Sequence, residues 1–161
     1  MQNALLYTPP MKSERFLRKV AVYMLLVKDE QVLLLRRYNT GWMDGYYTLP
    51  AGHVDGQERA IDAAVRETKE EVGVAIVRSD IQLMYTVHRY SSDTMEYIDL
   101  FFKAEAWQGE PRLMEADKAD DVSWFPLNAL PEKILDYVRH VIETYPKGEI
   151  YFEAGWDKKT Q

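Results

Sequence analysis

The chain has 161 residues and a mass of 18.8 kDa, enough for one domain with a substantial hydrophobic core. Apolar residues make up 47% and charged residues 29%, a balance that excludes disorder, collagen-like repeats and coiled coil. A net charge of −6 without a basic block argues against general nucleic-acid or anionic-membrane binding, and the lack of cysteine excludes disulfides, thiolate nucleophiles and Cys-ligated zinc.

The chain starts MQNALLYTPPMKSERF, without the charged start and apolar core of a signal peptide, so a cytoplasmic, reduced setting is expected. Pro9 and Pro10 mark residues 1–16 as an N-terminal arm of a single domain spanning 1–161. The longest apolar run, Val20 to Val27, is far too short to span a membrane. Val20, Val22, Met24 and Leu26 fall on one face of a strand and Ala21, Tyr23, Leu25 and Val27 on the other, so this strand is expected to be covered on both sides. A polar turn at 28–30 leads to a returning strand, QVLLLRR.

The glycines of YNTGWMDG indicate a loop, YYTLP a short strand stopped by Pro50, and Gly52 to Gly56 a tight loop. From Glu58 the period changes. Ile61, Ala64, Val65, Thr68 and Val72 form one stripe of an amphipathic helix, and Gly73 stands where a left-handed C-terminal cap belongs. Strands are expected between Gly73 and Gly109. One is a half-exposed strand in which Ile98, Leu100, Phe102, Ala104 and Ala106 alternate with Tyr97, Asp99, Phe101, Lys103 and Glu105. VSWFP is a further strand. Pro131 predicts the first turn of a second helix carrying Ile134, Val138, Val141, Ile142 and Tyr145 on one face. The sum is an α/β sandwich with a mixed sheet between helices.

Chemistry concentrates in GHVDGQERAIDAAVRETKEEVGV, residues 52–74. Glu67, Glu70 and Glu71 share one helix face with Cβ atoms about 5–6 Å apart, and Lys69 lies on another face. A hard divalent cation, Mg²⁺ or Mn²⁺, would offset that repulsion with oxygen ligands only. The entry loop Pro50-Ala51-Gly52 would bring a backbone carbonyl near the same face.

The segment resembles the Nudix box, Gly-x5-Glu-x7-Arg-Glu-U-x-Glu-Glu-x-Gly-U with U a bulky apolar residue. Gly52, Glu58, Arg66, Glu67, Glu70, Glu71 and Gly73 all match at the required spacing, with Val74 at the last U and Thr68 departing at the first. Chance agreement at seven fixed positions has odds on the order of 10⁻⁶.

The resemblance implies the family's αβα sandwich and hydrolysis of a nucleoside diphosphate linked to a group X, with divalent cations in place. It implies Glu67, Glu70 and Glu71 as metal-binding carboxylates, Glu67 also as a proposed general base, and the carbonyl of Ala51 as a further ligand. Arg66 and Glu58, two turns apart on the helix, are expected to orient Glu67 and brace the loop. A downstream carboxylate is also implied. Glu115 is chosen over Asp117, Asp120 and Asp121 for its distance before VSWFP.

Substrate choice lies outside the box. Trp42, Tyr46 and Tyr47 offer stacking faces, His53 a contact to phosphate or base, and His88 and Arg89 a strand facing the pocket; Trp107, Trp124 and Trp156 are assigned to packing. An ADP-ribose type would carry proline 15 residues past the box, where Arg89 stands. A dinucleoside-polyphosphate type would carry tyrosine 16 to 18 residues past it, and Tyr90 keeps that reading open. The Ser-Gln-Pro-Trp mark of the NADH type is absent. Elimination favours a MutT-like pyrophosphohydrolase of an NTP or dNTP, with a dinucleoside polyphosphate or nucleotide sugar as the alternative. A non-catalytic nucleotide-sensing module would be expected to lose box glutamates, and an isoprenoid diphosphate isomerase needs a cysteine. The arm and the C-terminal EIYFEAGW offer contacts for a homodimer, and EIYFEAGW alternatively packs on its own sheet.

Overall fold

The computed structural model describes residues 17–91 and 95–157; the proposed arm at 1–16 lies outside them. Strand β1 (Lys19–Lys28) is the spine. It pairs in parallel with β6 (Glu96–Ala104) on one side. On the other it pairs antiparallel with β4 (Ala51–His53) and, at its far end, with β2 (Gln31–Arg37). Strand order runs β3 (Tyr47–Thr48), β2, β1, β6, β5 (Ile81–Tyr90), β8 (Tyr151–Ala154), and β7 (Ala119–Pro126) pairs with β2. EIYFEAGW thus supplies an edge strand, β8, parallel to β5 of its own sheet.

Both faces of β1 are covered, as its two apolar faces predict. Ala21, Tyr23 and Leu25 join Phe101, Val138 and Val141 in the core under α2 (Asp136–Thr144), where Tyr23 stacks on Phe101 at 4.5 Å. Val22, Met24 and Leu26 join Ala63, Ala64 and Val72 in the core under α1 (Ala60–Val72). Burying such side chains contributes about 1.5–3 kcal/mol each, so the two cores fix how α2 and α1 lie against the sheet. The β1–β2 turn has both central residues, Asp29 and Glu30, at positive φ, the twist that a two-residue hairpin requires.

Four expectations are corrected. The segment after Pro50 is not all loop: Ala51, Gly52 and His53 pair with Tyr23, Val22 and Ala21. The second helix starts at Asp136, because the backbone of Lys133 and Leu135 is bonded to Tyr47 in an extended stretch. Glu58 precedes α1 rather than lying on it. Strand β6 is not half-exposed, since Asp99 and Phe101 are fully buried. Helix α1 ends as expected, with Gly73 at φ 76° donating its N–H to Lys69 O. Thr68, the departure in the box, is buried, and its hydroxyl donates to Ala64 O at 2.7 Å, so the polar atom is satisfied within the helix.

Candidate active site

Helix α1 lays its polar face along a cleft of about 480 Å³ between β4 and the segment before β7. Glu67, Glu70, Glu71, Glu115, Arg66 and Ala51 all line it. Arg66 ties the acidic wall together. Its Nε and Nη2 donate to the two oxygens of Glu58 at 2.9 and 3.0 Å, its Nη1 to Glu67 at 2.7 Å and Glu70 at 3.3 Å, and its Nη2 to His53 O at 3.1 Å. Glu58 in turn accepts the Asp55 N–H, and these bonds, Arg66 foremost, hold its carboxyl below the usual range. One guanidinium therefore joins the helix to the loop that enters it.

Glu71 accepts the Ala51 N–H at 2.8 Å. The entry strand thus reaches the glutamates through the Ala51 amide. Burial, with repulsion from Glu67 and Glu115, pushes Glu71 up to about 8. Burial also raises Glu67, against the pull of Arg66. Glu115 enters from the far side of the cleft and pairs with Lys118 at 2.9 Å. Of the alternatives to Glu115, Asp120 is paired with Arg36, and Asp121 accepts from Tyr47 and Ser123.

Among the described residues, no three carboxylates or imidazoles are converged on one point. The donor set is nevertheless that of a hard cation: oxygen-only groups, crowded and partly desolvated, whose mutual repulsion a divalent ion would relieve.

The cleft opens into a second compartment of about 370 Å³, and the two share Arg37, Thr48, Ala51, Gly52 and His53. Arg89 and three tyrosines, Tyr23, Tyr97 and Tyr137, line its inner part. Trp42 is exposed at the mouth, where Arg37 stacks over its ring at 4.9 Å and donates to its carbonyl. His53 is exposed between the compartments.

Other expected ligand contacts are not brought here. Tyr47 packs edge-on against Phe125 and donates to Asp121, and Tyr46 packs on the core. Adjacent strand residues point to opposite faces, so His88 and Arg89 cannot both face one pocket. His88 packs on Trp156 at 4.8 Å and sits 3.3 Å from Glu96. Arg89 faces the compartment, but its fork is engaged by buried Asp99 at 2.6 and 3.1 Å and its guanidinium lies between the Tyr97 and Tyr137 rings. A phosphate would have to compete with that buried carboxylate. Tyr90 also packs on Trp156. Trp107 and Trp124 stack on each other beside the α1-side core.

Sequence pattern alone does not mark Arg37, Thr48, Tyr137 or the Arg89–Asp99 pair. Arg37 had a signal, an arginine ending an apolar strand. A β-bulge against β7 sits between it and Arg36 and breaks the register there.

The chain matches the NUDIX domain over residues 17–145. It is 33% identical over 131 residues to an ADP-ribose pyrophosphatase of Methanocaldococcus jannaschii, covering 78% of this chain and 72% of that protein. It is 29% identical over 127 residues to the NAD-capped RNA hydrolase NudC of Pseudomonas aeruginosa, covering 78% of this chain but 43% of the relative. Among solved structures, the MutT NUDIX hydrolase of Burkholderia pseudomallei superposes with a TM-score of 0.74 at 29% identity, over 80% of this chain and 98% of that one. The MutT protein of Methanosarcina mazei Go1 shares the fold, with a TM-score of 0.72 at 23% identity over 84% and 98% of the two chains. No helix among the described residues is long and apolar enough to cross a membrane. The box residues, the mixed sheet between helices and these likenesses agree: the chain belongs to the Nudix hydrolase family.

Proposed function

We propose that this protein uses Mg²⁺ or Mn²⁺ to hydrolyse a nucleoside diphosphate linked to a second group, with an NTP or dNTP cut to the monophosphate and pyrophosphate as the leading substrate. The observation that carries this reading is the gathering of Glu67, Glu70, Glu71 and Glu115 on one cleft that continues into an aromatic compartment. A nucleotide needs both, one part for its charged diphosphate and one for its base.

Glu67, Glu70, Glu71 and Glu115 would hold the cation, with the Ala51 carbonyl as a further oxygen. When bound, such an ion neutralises phosphate charge and lowers the pKa of coordinated water. Everything else falls to the chain's own groups. Arg66 fixes Glu67 and Glu70 relative to the entry loop through Glu58 and the His53 carbonyl. A glutamate so held is placed to take the proton of the attacking water. Arg37 and His53 supply donors between the compartments, and Trp42 offers an exposed ring to the base.

A nucleotide sugar is the second reading. It is favoured by the relative named ADP-ribose pyrophosphatase and opposed by Arg89 at the position where that type carries proline. The dinucleoside-polyphosphate reading is weakened because Tyr90 packs on Trp156.

The test is a panel of NTPs, dNTPs, ADP-ribose and dinucleoside polyphosphates with Mg²⁺ or Mn²⁺, detecting both products. Release of pyrophosphate with a monophosphate supports the leading reading. Nucleotide binding without cleavage of any member under either metal would replace it with a sensing module.

A further inference from the structure

Among the described residues, two buried side-chain polar atoms have no hydrogen-bond partner, Thr48 Oγ1 and His140 Nε2. His140 has a local explanation, since its Nε2 lies 3.3 Å from the Glu149 carboxylate. Thr48 has none. It is 8% exposed, ends β3 opposite Leu35 of β2, and lines both compartments of the cleft. A buried hydroxyl without a partner costs about 1–3 kcal/mol, and a valine of the same shape would avoid that cost. Thr48 Oγ1 is itself shielded from the cleft, while the residue stands at the waist, between the acidic wall and the aromatic compartment. One staggered rotation about Cα–Cβ would exchange its hydroxyl with its methyl group or hydrogen and aim the oxygen elsewhere.

We propose that Thr48 is a substrate-binding residue whose hydroxyl turns into the waist of the cleft and hydrogen-bonds the sugar–α-phosphate part of the nucleotide. That part must cross the waist if the diphosphate lies against the glutamates and the base lies among the aromatic rings, so the assignment rests on the proposed hydrolase function. The hydroxyl is unsatisfied in the free protein and satisfied in the complex. Its removal therefore weakens binding without weakening the fold. Because this hydrogen bond is made to the bound nucleotide before and during the reaction alike, the effect falls on KM rather than kcat.

The experiment compares Thr48→Val and Thr48→Ser with wild type, by steady-state kinetics on the best substrate and by thermal unfolding without nucleotide. Thr48→Val is expected to raise KM roughly 3- to 10-fold, the fold-change of one neutral hydrogen bond. It should leave kcat within about twofold and Tm equal or higher. Thr48→Ser, which keeps the hydroxyl, should hold KM near wild type. An active wild type with unchanged KM in Thr48→Val overturns the assignment and leaves the hydrolase function standing. So does a Thr48→Ser variant as impaired as Thr48→Val, since the lost methyl group would then explain both. A wild type that cleaves no diphosphate in the panel overturns the hydrolase function and this assignment together.

Discussion

Gly52 lies directly against the carboxylate of Glu67, so close that a Cβ built on its backbone would overlap the carboxyl carbon and both oxygens. Its φ is not positive, so the backbone would accept any residue there and only the lack of space demands glycine. This contact, with the Ala51–Glu71 and Arg66–His53 hydrogen bonds, fixes how the acidic wall lies against strand β4.

Gly52→Ala is therefore expected to push the Glu67 carboxylate off Arg66 while leaving the fold intact. Displacement of a catalytic group by about an ångström lowers turnover on the order of 10²-fold. Far-UV circular dichroism and Tm should change little while kcat falls. An alanine variant with full kcat would show that Glu67 need not occupy this position.

Glu71 joins the proposed catalytic role to a pH dependence of stability. Glu71→Gln or Glu70→Gln is expected to lower kcat at least about 10²-fold if these groups hold the cation. Burial raises Glu71 to about 8, so the metal-free folded chain binds this proton more tightly than the unfolded chain does. Its contribution to stability is complete below the ordinary carboxylate range and is lost as pH rises through about 8. In chelator, Tm should fall between about pH 5 and about pH 9 by an amount corresponding to a few kcal/mol, and Glu71→Gln should flatten that slope. Saturating Mg²⁺ should reverse it, with proton release on binding at neutral pH detectable by calorimetry in two buffers.

Arg89 and Asp99 form a buried pair beneath the aromatic compartment, at 12% and 0% side-chain exposure. Removing one partner of such a pair costs about 3–5 kcal/mol because the other charge stays buried. Asp99→Ala should show that loss in urea unfolding. The double variant Arg89→Met, Asp99→Leu should lose less than Asp99→Ala alone. A double variant no more stable than Asp99→Ala would mean that the stranded arginine charge is not what the single change costs.

The sequence carried the doubly covered β1 because both of its faces are apolar, and it carried α1 with its Gly73 cap because period and cap agree. It carried the acidic wall because Glu67, Glu70 and Glu71 are near neighbours along one helix. What stayed hidden depended on pairing across the chain. Asp99 looked solvent-facing because its partner, Arg89, reaches it only across the β5–β6 pair. The role of Arg37 was hidden because it stands beside a bulge that periodicity does not show. Ile134 kept helical spacing with Val138 although Tyr47 holds its neighbours Lys133 and Leu135 in an extended stretch.

If the base binds at the mouth of the aromatic compartment, as proposed, Trp42 meets it on a loop that braces itself. Asp44 accepts the Thr40 hydroxyl at 2.6 Å and the backbone N–H groups of Thr40 and Gly41, which holds its carboxyl below the usual range. Arg37 closes the loop through Thr40 and the Trp42 carbonyl. The ring is thus 46% exposed on a braced loop, and little ordering remains for a ligand to impose. Base stacking on an aromatic ring is worth about 1–3 kcal/mol, so Trp42→Ala should raise KM about 5- to 100-fold while Trp42→Phe keeps most of the affinity. The kcat at saturation should be preserved in both, because the ring lies away from the glutamates. If Trp42→Ala lowers kcat and leaves KM alone, the base does not bind at this mouth, and Tyr97 or Tyr137 in the inner compartment becomes the surface to test next.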